Sequence, residues 1–138
     1  MEARTQNKLR ITAIVWLIII ALNALAAGYS FMVEPTGKDI GIPLSYLQYS
    51  PFNNYLVPGV LLFTTIGILS MVAAFLGIKK HPLFPHALFV QGCILLGWIV
   101  IQMLLIRDVN VLHVVCGISA LAWIIIGFLL WKASPDPF

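Results

Sequence analysis

Charge is scarce in this chain, with eight basic and five acidic side chains among 138 residues. A soluble domain typically carries about 25% charged residues, whereas here the share is 9% against 61% apolar. A water-soluble fold of this composition would lack the polar side chains to cover its surface. Cysteine is scarce too. Cys93 and Cys116 form no C-x-x-C pair and fall within apolar stretches. That argues against disulfide chemistry, which needs reactive pairs near the surface, and predicts two buried packing residues. The nucleophile motif G-x-S-x-G, the zinc motif H-E-x-x-H and the phosphate-binding P-loop are all missing. No Cys, His, Asp and Glu residues fall at metal-ligand spacing.

What is present is hydrocarbon in four long runs, roughly Ile11–Val33, Leu56–Ile78, Phe84–Ile106 and Val109–Trp131, and every charged residue lies outside them. Each run has about the 20 residues that a helix needs to cross a ~30 Å hydrocarbon layer. The fold class is therefore all-α, a transmembrane antiparallel four-helix bundle, and residues 1–138 form a single integral membrane domain. The first run has the basic start and the Ala24-Leu25-Ala26 of a signal peptide. Its apolar stretch continues to Val33, which favours a retained span.

The basic residues report orientation, and nucleic acid is excluded as a partner. Arg4, Lys8 and Arg10 precede span one, Lys79 and Lys80 lie between spans two and three, and Lys132 follows span four. Only Lys38 and Arg107 belong to the opposite side. The positive-inside rule then puts both termini and the second loop in the cytoplasm. The first ten residues read as a polar lead-in at the interface. The first loop, Glu34–Tyr55, carries turn signals at Pro35-Thr36-Gly37 and helix-start signals at Pro43 and Ser50-Pro51. Its Tyr46, Tyr49, Phe52 and Tyr55 predict a structured extracytoplasmic cap lying on the bundle. Helix two starts at Pro51, with a kink at Pro58, or at Pro58 itself; both remain open.

Small residues on one face allow membrane helices to approach closely. Gly59, Gly67, Ser70, Ala74 and Gly77 mark such a face on span two. His113, Gly117, Ala120 and Gly127 mark one on span four, and Ala24, Ala27 and Gly28 one on span one. Polar residues within the spans need partners. At ~1.5 Å per residue, Asn23 and Trp98 lie about 20 Å from the cytoplasmic edge, and Gln102 and His113 roughly 25 Å. Thr64 and Thr65 reach Asn23's level, Glu34 lies just above, and the cytoplasmic half is almost pure hydrocarbon and small residues, with Gln91 the exception.

Two readings of this outer layer stand side by side. One is a structural hydrogen-bond network. The other is a ligand-binding pocket lined by Asn23, Glu34, Trp98, Gln102 and His113. No cofactor is expected. His86 and His113 lie near opposite membrane edges, about 20 Å apart, too far to share a haem iron. Glu34 is too shallow for a proton-coupled exporter. The function expected is a small non-enzymatic membrane protein that binds an apolar ligand or a membrane partner through its outer half. The alternative is a membrane-embedded enzyme acting on a lipid-like substrate, with His113 and Glu34 as acid and base. Partners are membrane lipids and an apolar molecule or a membrane protein.

Glu34-Pro35-Thr36-Gly37, Gly41-Ile42-Pro43, Ser50-Pro51-Phe52-Asn53-Asn54-Tyr55-Leu56-Val57-Pro58-Gly59 and Trp98-Ile99-Val100-Ile101-Gln102 resemble a pattern in small bacterial four-helix integral membrane proteins without assigned function. The layout is similar to that of the DoxX-type bundles. The resemblance implies a bacterial inner-membrane location and supplies no activity.

Overall fold

The computed structural model describes residues 2–37, 53–106 and 111–133. Four helices account for most of them: α1 (Ala3–Val33), α2 (Leu56–Ile78), α3 (Phe84–Ile106) and α4 (Val111–Ala133). No strand occurs among the described residues. The apolar runs set these bounds within two residues, with one exception. Helix α1 starts at Ala3, eight residues before the apolar run, so the polar lead-in is an extension of the helix. Nothing in Ala3–Arg10 opposes this, since the stretch has neither glycine nor proline.

The helix ends follow from local chemistry. Pro35 stops α1, and the chain turns at Gly37, whose φ of 77° suits a residue without Cβ. Tyr55 N–H then donates to Pro35 O, and its ring stacks on Phe31 at 4.7 Å, so the two ends of the first loop meet. The cap expected from Tyr46, Tyr49 and Phe52 lies outside the described residues, as do Lys38, Arg107 and Asn110. Helix α2 begins at Leu56, between the two starts the sequence offered, so Pro58 sits in the first turn, where a missing N–H costs nothing.

Helix α2 ends in a left-handed cap. Lys80 has φ 54°, Lys80 N–H donates to Gly77 O, and His81 N–H donates to Leu76 O. This is the hydrogen-bond pair of a Schellman motif, whose left-handed position is usually glycine. Replacing Lys80 with glycine should therefore raise unfolding stability by about 0.5–1 kcal/mol. A thermal or denaturant midpoint in detergent that does not rise would contradict this.

Contacts run in opposite order along α1 and α2. Gly28 meets Gly59 and Phe63, Leu25 meets Gly67, and Ile14 meets Gly77. They do so again along α3 and α4, where Gly92 meets Ala120 and Ile124, while Gly127 meets Phe89 and Pro85. These two pairs have the longest interfaces. Helices α2 and α3, and α1 and α4, meet over shorter stretches. One end of the molecule, the near end, thus gathers the starts of α1 and α3 and the finishes of α2 and α4. The far end gathers the rest.

The interior is apolar and small, with Ala13, Leu17, Ala73, Ala74, Leu88, Leu95, Ala120 and Trp123 buried. The surface is apolar as well. Ile19, Leu22, Val72, Phe75, Val90, Ile101, Ile118 and Ile125 all point outward. A helix that is apolar all round suits a hydrocarbon surrounding.

Candidate functional site

The five residues singled out from the sequence do not form one cluster of direct contacts. Asn23 is exposed, and its amide donates to Ile19 O one turn back on its own helix, 3.0 Å away. A polar side chain on a helix can satisfy itself in this way. Asn23 therefore faces away from the interior, and the buried face of α1 runs instead through Ala21, Ala24, Gly28 and Phe31. Glu34 is half-buried at the end of α1, and its carboxylate accepts from Thr36 Oγ1 at 2.7 Å. The carboxylate is thus engaged by its own turn.

Trp98 and Gln102 are half-buried on α3, and His113, at 4% exposure, is buried on α4. The α3–α4 contacts place His113 level with residues 99–103, so these three share the far half of one helix pair. His86, in the first turn of α3, is about 20 Å away along the same axis.

The structure brings together a different polar set, midway along the bundle. Residues Leu62–Ile68 of α2 form a π-helical stretch, and Leu69 N–H reaches back five residues to Thr64 O. Returning from five-residue to four-residue spacing leaves one carbonyl without a helical donor. Thr65 O, the next in line, is taken by Gln91 Nε2 from α3 at 2.9 Å. The same nitrogen donates to Ser70 Oγ at 2.9 Å. Local chemistry favours the wide turn. The Thr64 and Thr65 hydroxyls both donate to Leu61 O, and Thr64 also donates to Val60 O, competing with the backbone for those acceptors.

On the opposite side of the bundle, Trp16 Nε1 on α1 donates to Ser119 Oγ on α4 at 2.9 Å, and Ser119 in turn donates to Val115 O. Trp123, at 0% exposure, has an indole N–H with no acceptor among the described residues. At the near end, Arg10 is 7% exposed and reaches from α1 to α2 to donate to Gly77 O at 2.9 Å. A cation there also complements the negative end of the α2 dipole.

Of this set Gln91 stood out in the sequence as the exception in the cytoplasmic half, Thr64 and Thr65 as members of the outer polar layer, and Ser70 as a packing residue. Arg10 read there as an orientation signal alone. Cys93, expected to be buried, is exposed on the apolar surface, and Cys116 is half-buried; neither forms a disulfide. Among the described residues, no three of His, Cys, Asp and Glu lie together as a metal site.

Glycines divide the interior sharply. A Cβ added at Gly28, Gly59, Gly67, Gly77, Gly92 or Gly127 would meet a neighbour at 2.6–2.8 Å, whereas at Gly97 and Gly117 it would meet none of the described residues within 4 Å. Both open positions lie in the far half of the α3–α4 pair. Gly97 is exposed, but Gly117 is half-buried and level with Leu95–Ile99, close in height to Trp98.

Four helices long and apolar enough to cross a bilayer, with an apolar exterior, mark a small helical membrane protein. The chain matches no protein-family model, no curated protein and no solved structure.

Proposed function

We propose that the protein is a non-enzymatic component of a bacterial inner membrane. It is an antiparallel four-helix bundle with both termini cytoplasmic, and its outer (far) half receives an apolar guest, either a lipid-like molecule or a helix of a membrane partner. The layout that resembles small bacterial bundles of the DoxX type supports the setting. The observation that carries the binding reading is Gly117, half-buried yet open to space among the described residues, where Gly28, Gly59, Gly67, Gly77, Gly92 and Gly127 are crowded. Trp98 offers an apolar wall at that height. Gln102 and His113 stand just beyond it and supply the few polar atoms that orient a guest. Glu34 belongs to the rim, and Asn23 has no part in it because it is exposed on the outer face of α1.

Native mass spectrometry of the purified chain should detect a retained apolar molecule or a second polypeptide, which separates the two kinds of guest. Gly117→Leu places its Cβ in open space and should leave the unfolding midpoint nearly unchanged while reducing retention about tenfold. His113→Ala should also reduce retention. Wild-type protein that emerges empty, or Gly117→Leu protein that retains its guest, defeats the reading. Reporter fusions at Lys79 and at the carboxyl terminus should both report cytoplasm, and opposite sides would refute the topology.

A further inference from the structure

A second cluster lies at the near end, on the outer surface of α3 and α4. His86, in the first turn of α3, packs edge-on against Trp131 of α4, with ring centroids 5.7 Å apart. Phe128 contacts Trp131 at 6.2 Å, and Lys132 Nζ lies 5.6 Å from the Phe128 ring centre. Trp131 is 53% exposed and Phe128 42%. An ammonium, an indole N–H and an imidazole N–H are thus gathered in one patch at the end of the apolar spans. Below the patch the surface continues through Ile125, Leu129 and Val90, all exposed.

We infer that this patch is a binding site for an anionic phospholipid, with the phosphodiester held by Lys132, Trp131 and His86 and an acyl chain lying along Phe128 and the outer surface of α3 and α4. The inference rests on the membrane reading. A site of this kind needs a cation at headgroup depth, aromatic side chains with one polar edge at the same depth, and apolar surface below, and all three are present. Charge selects the headgroup. A zwitterionic lipid would bring its own cation against the Lys132 ammonium, while a phosphatidylglycerol-type headgroup brings none. The surrounding field agrees, because Arg4, Lys8, Lys79 and Lys80 share the near end with Lys132.

The full chain should be reconstituted in bilayers of mixed phosphatidylcholine and phosphatidylglycerol, then examined by native mass spectrometry for retained lipid. Wild type should retain phosphatidylglycerol in preference to phosphatidylcholine. Lys132→Gln should reduce that preference about fivefold, the value of one lysine near an anionic surface. Lys132→Arg should keep it, and Trp131→Phe, which keeps a ring and loses the N–H, should weaken it. Both positions are at the surface, so unchanged unfolding midpoints are expected. Arg4→Gln removes the same charge from α1 and should leave the preference intact. Equal retention of both lipids by wild type overturns the site. So does an undiminished preference in Lys132→Gln, or an Arg4→Gln loss as large as that of Lys132→Gln, which would make the effect one of bulk charge. A chain that reconstitutes normally yet shows no preference refutes this site alone. Failure to enter the bilayer refutes the membrane reading.

Discussion

Gly28→Leu should unfold the α1–α2 pair at a markedly lower denaturant concentration, with a loss of about 3 kcal/mol or more. A Cβ at residue 28 would stand 2.8 Å from Gly59 O and 2.9 Å from Phe63 N, both backbone atoms. Backbone cannot rotate aside as the tip of a flexible side chain can, so the helices must separate. Separation also loses the stacking of Phe31 on Tyr55, because both residues lie within one turn of this crossing. Gly117→Leu is the matched control. It makes the same chemical change in another helix interior, where the new Cβ meets none of the described residues within 4 Å, and it should shift stability by no more than about 0.5 kcal/mol. If unfolding in mixed micelles gave similar losses for both variants, the cause would be general helix perturbation, and the close approach at Gly59 would carry no special weight.

Gln91→Leu should cost about 2 kcal/mol. An ordinary interhelical hydrogen bond in a membrane averages only about 0.6 kcal/mol, because the separated helices find other partners. This residue is different because one of its bonds satisfies a backbone carbonyl that the π-helical stretch has released. Removing the amide leaves Thr65 O bare in apolar surroundings, and the helix cannot recover it without giving up the wide turn. Ser70→Ala removes only the second bond and should cost about 0.6 kcal/mol. The contrast between the two variants is the measurement. Equal losses would mean that the carbonyl is satisfied in some other way.

The four spans were legible because a hydrocarbon solvent imposes a length and an apolar composition, and both are written in runs such as Leu56–Ile78 and Phe84–Ile106. The packing face of α2 was legible for a related reason. Gly59, Gly67, Ser70, Ala74 and Gly77 recur at helical spacing, and all are buried. Glycine spacing alone did not separate Gly117 from Gly127, because the difference lies in what stands opposite. Depth along the axis likewise placed Asn23 near Thr64 and Thr65 but said nothing about which way its amide points. All three residues turned out to bond to carbonyls of their own helices.

The π-helical stretch left no mark in the sequence, since Leu-Phe-Thr-Thr-Ile-Gly-Ile is ordinary span composition. Gln91 was visible as an oddity in the inner half, but its meaning depends on a carbonyl that only the wide turn exposes. Arg10 was read for its charge, and its place at the end of α2 emerged only once the helices were packed.

The 31 residues of α1 amount to about 46 Å of helix, against the ~30 Å of a hydrocarbon layer. With Arg10 anchored near the boundary by Gly77, the surplus is mostly the two polar turns that precede it. On the membrane reading they would form a basic helical stub beyond the lipid at the near end, carrying Arg4 and Lys8. A soluble protein approaching from that side would meet the stub before it met the bilayer.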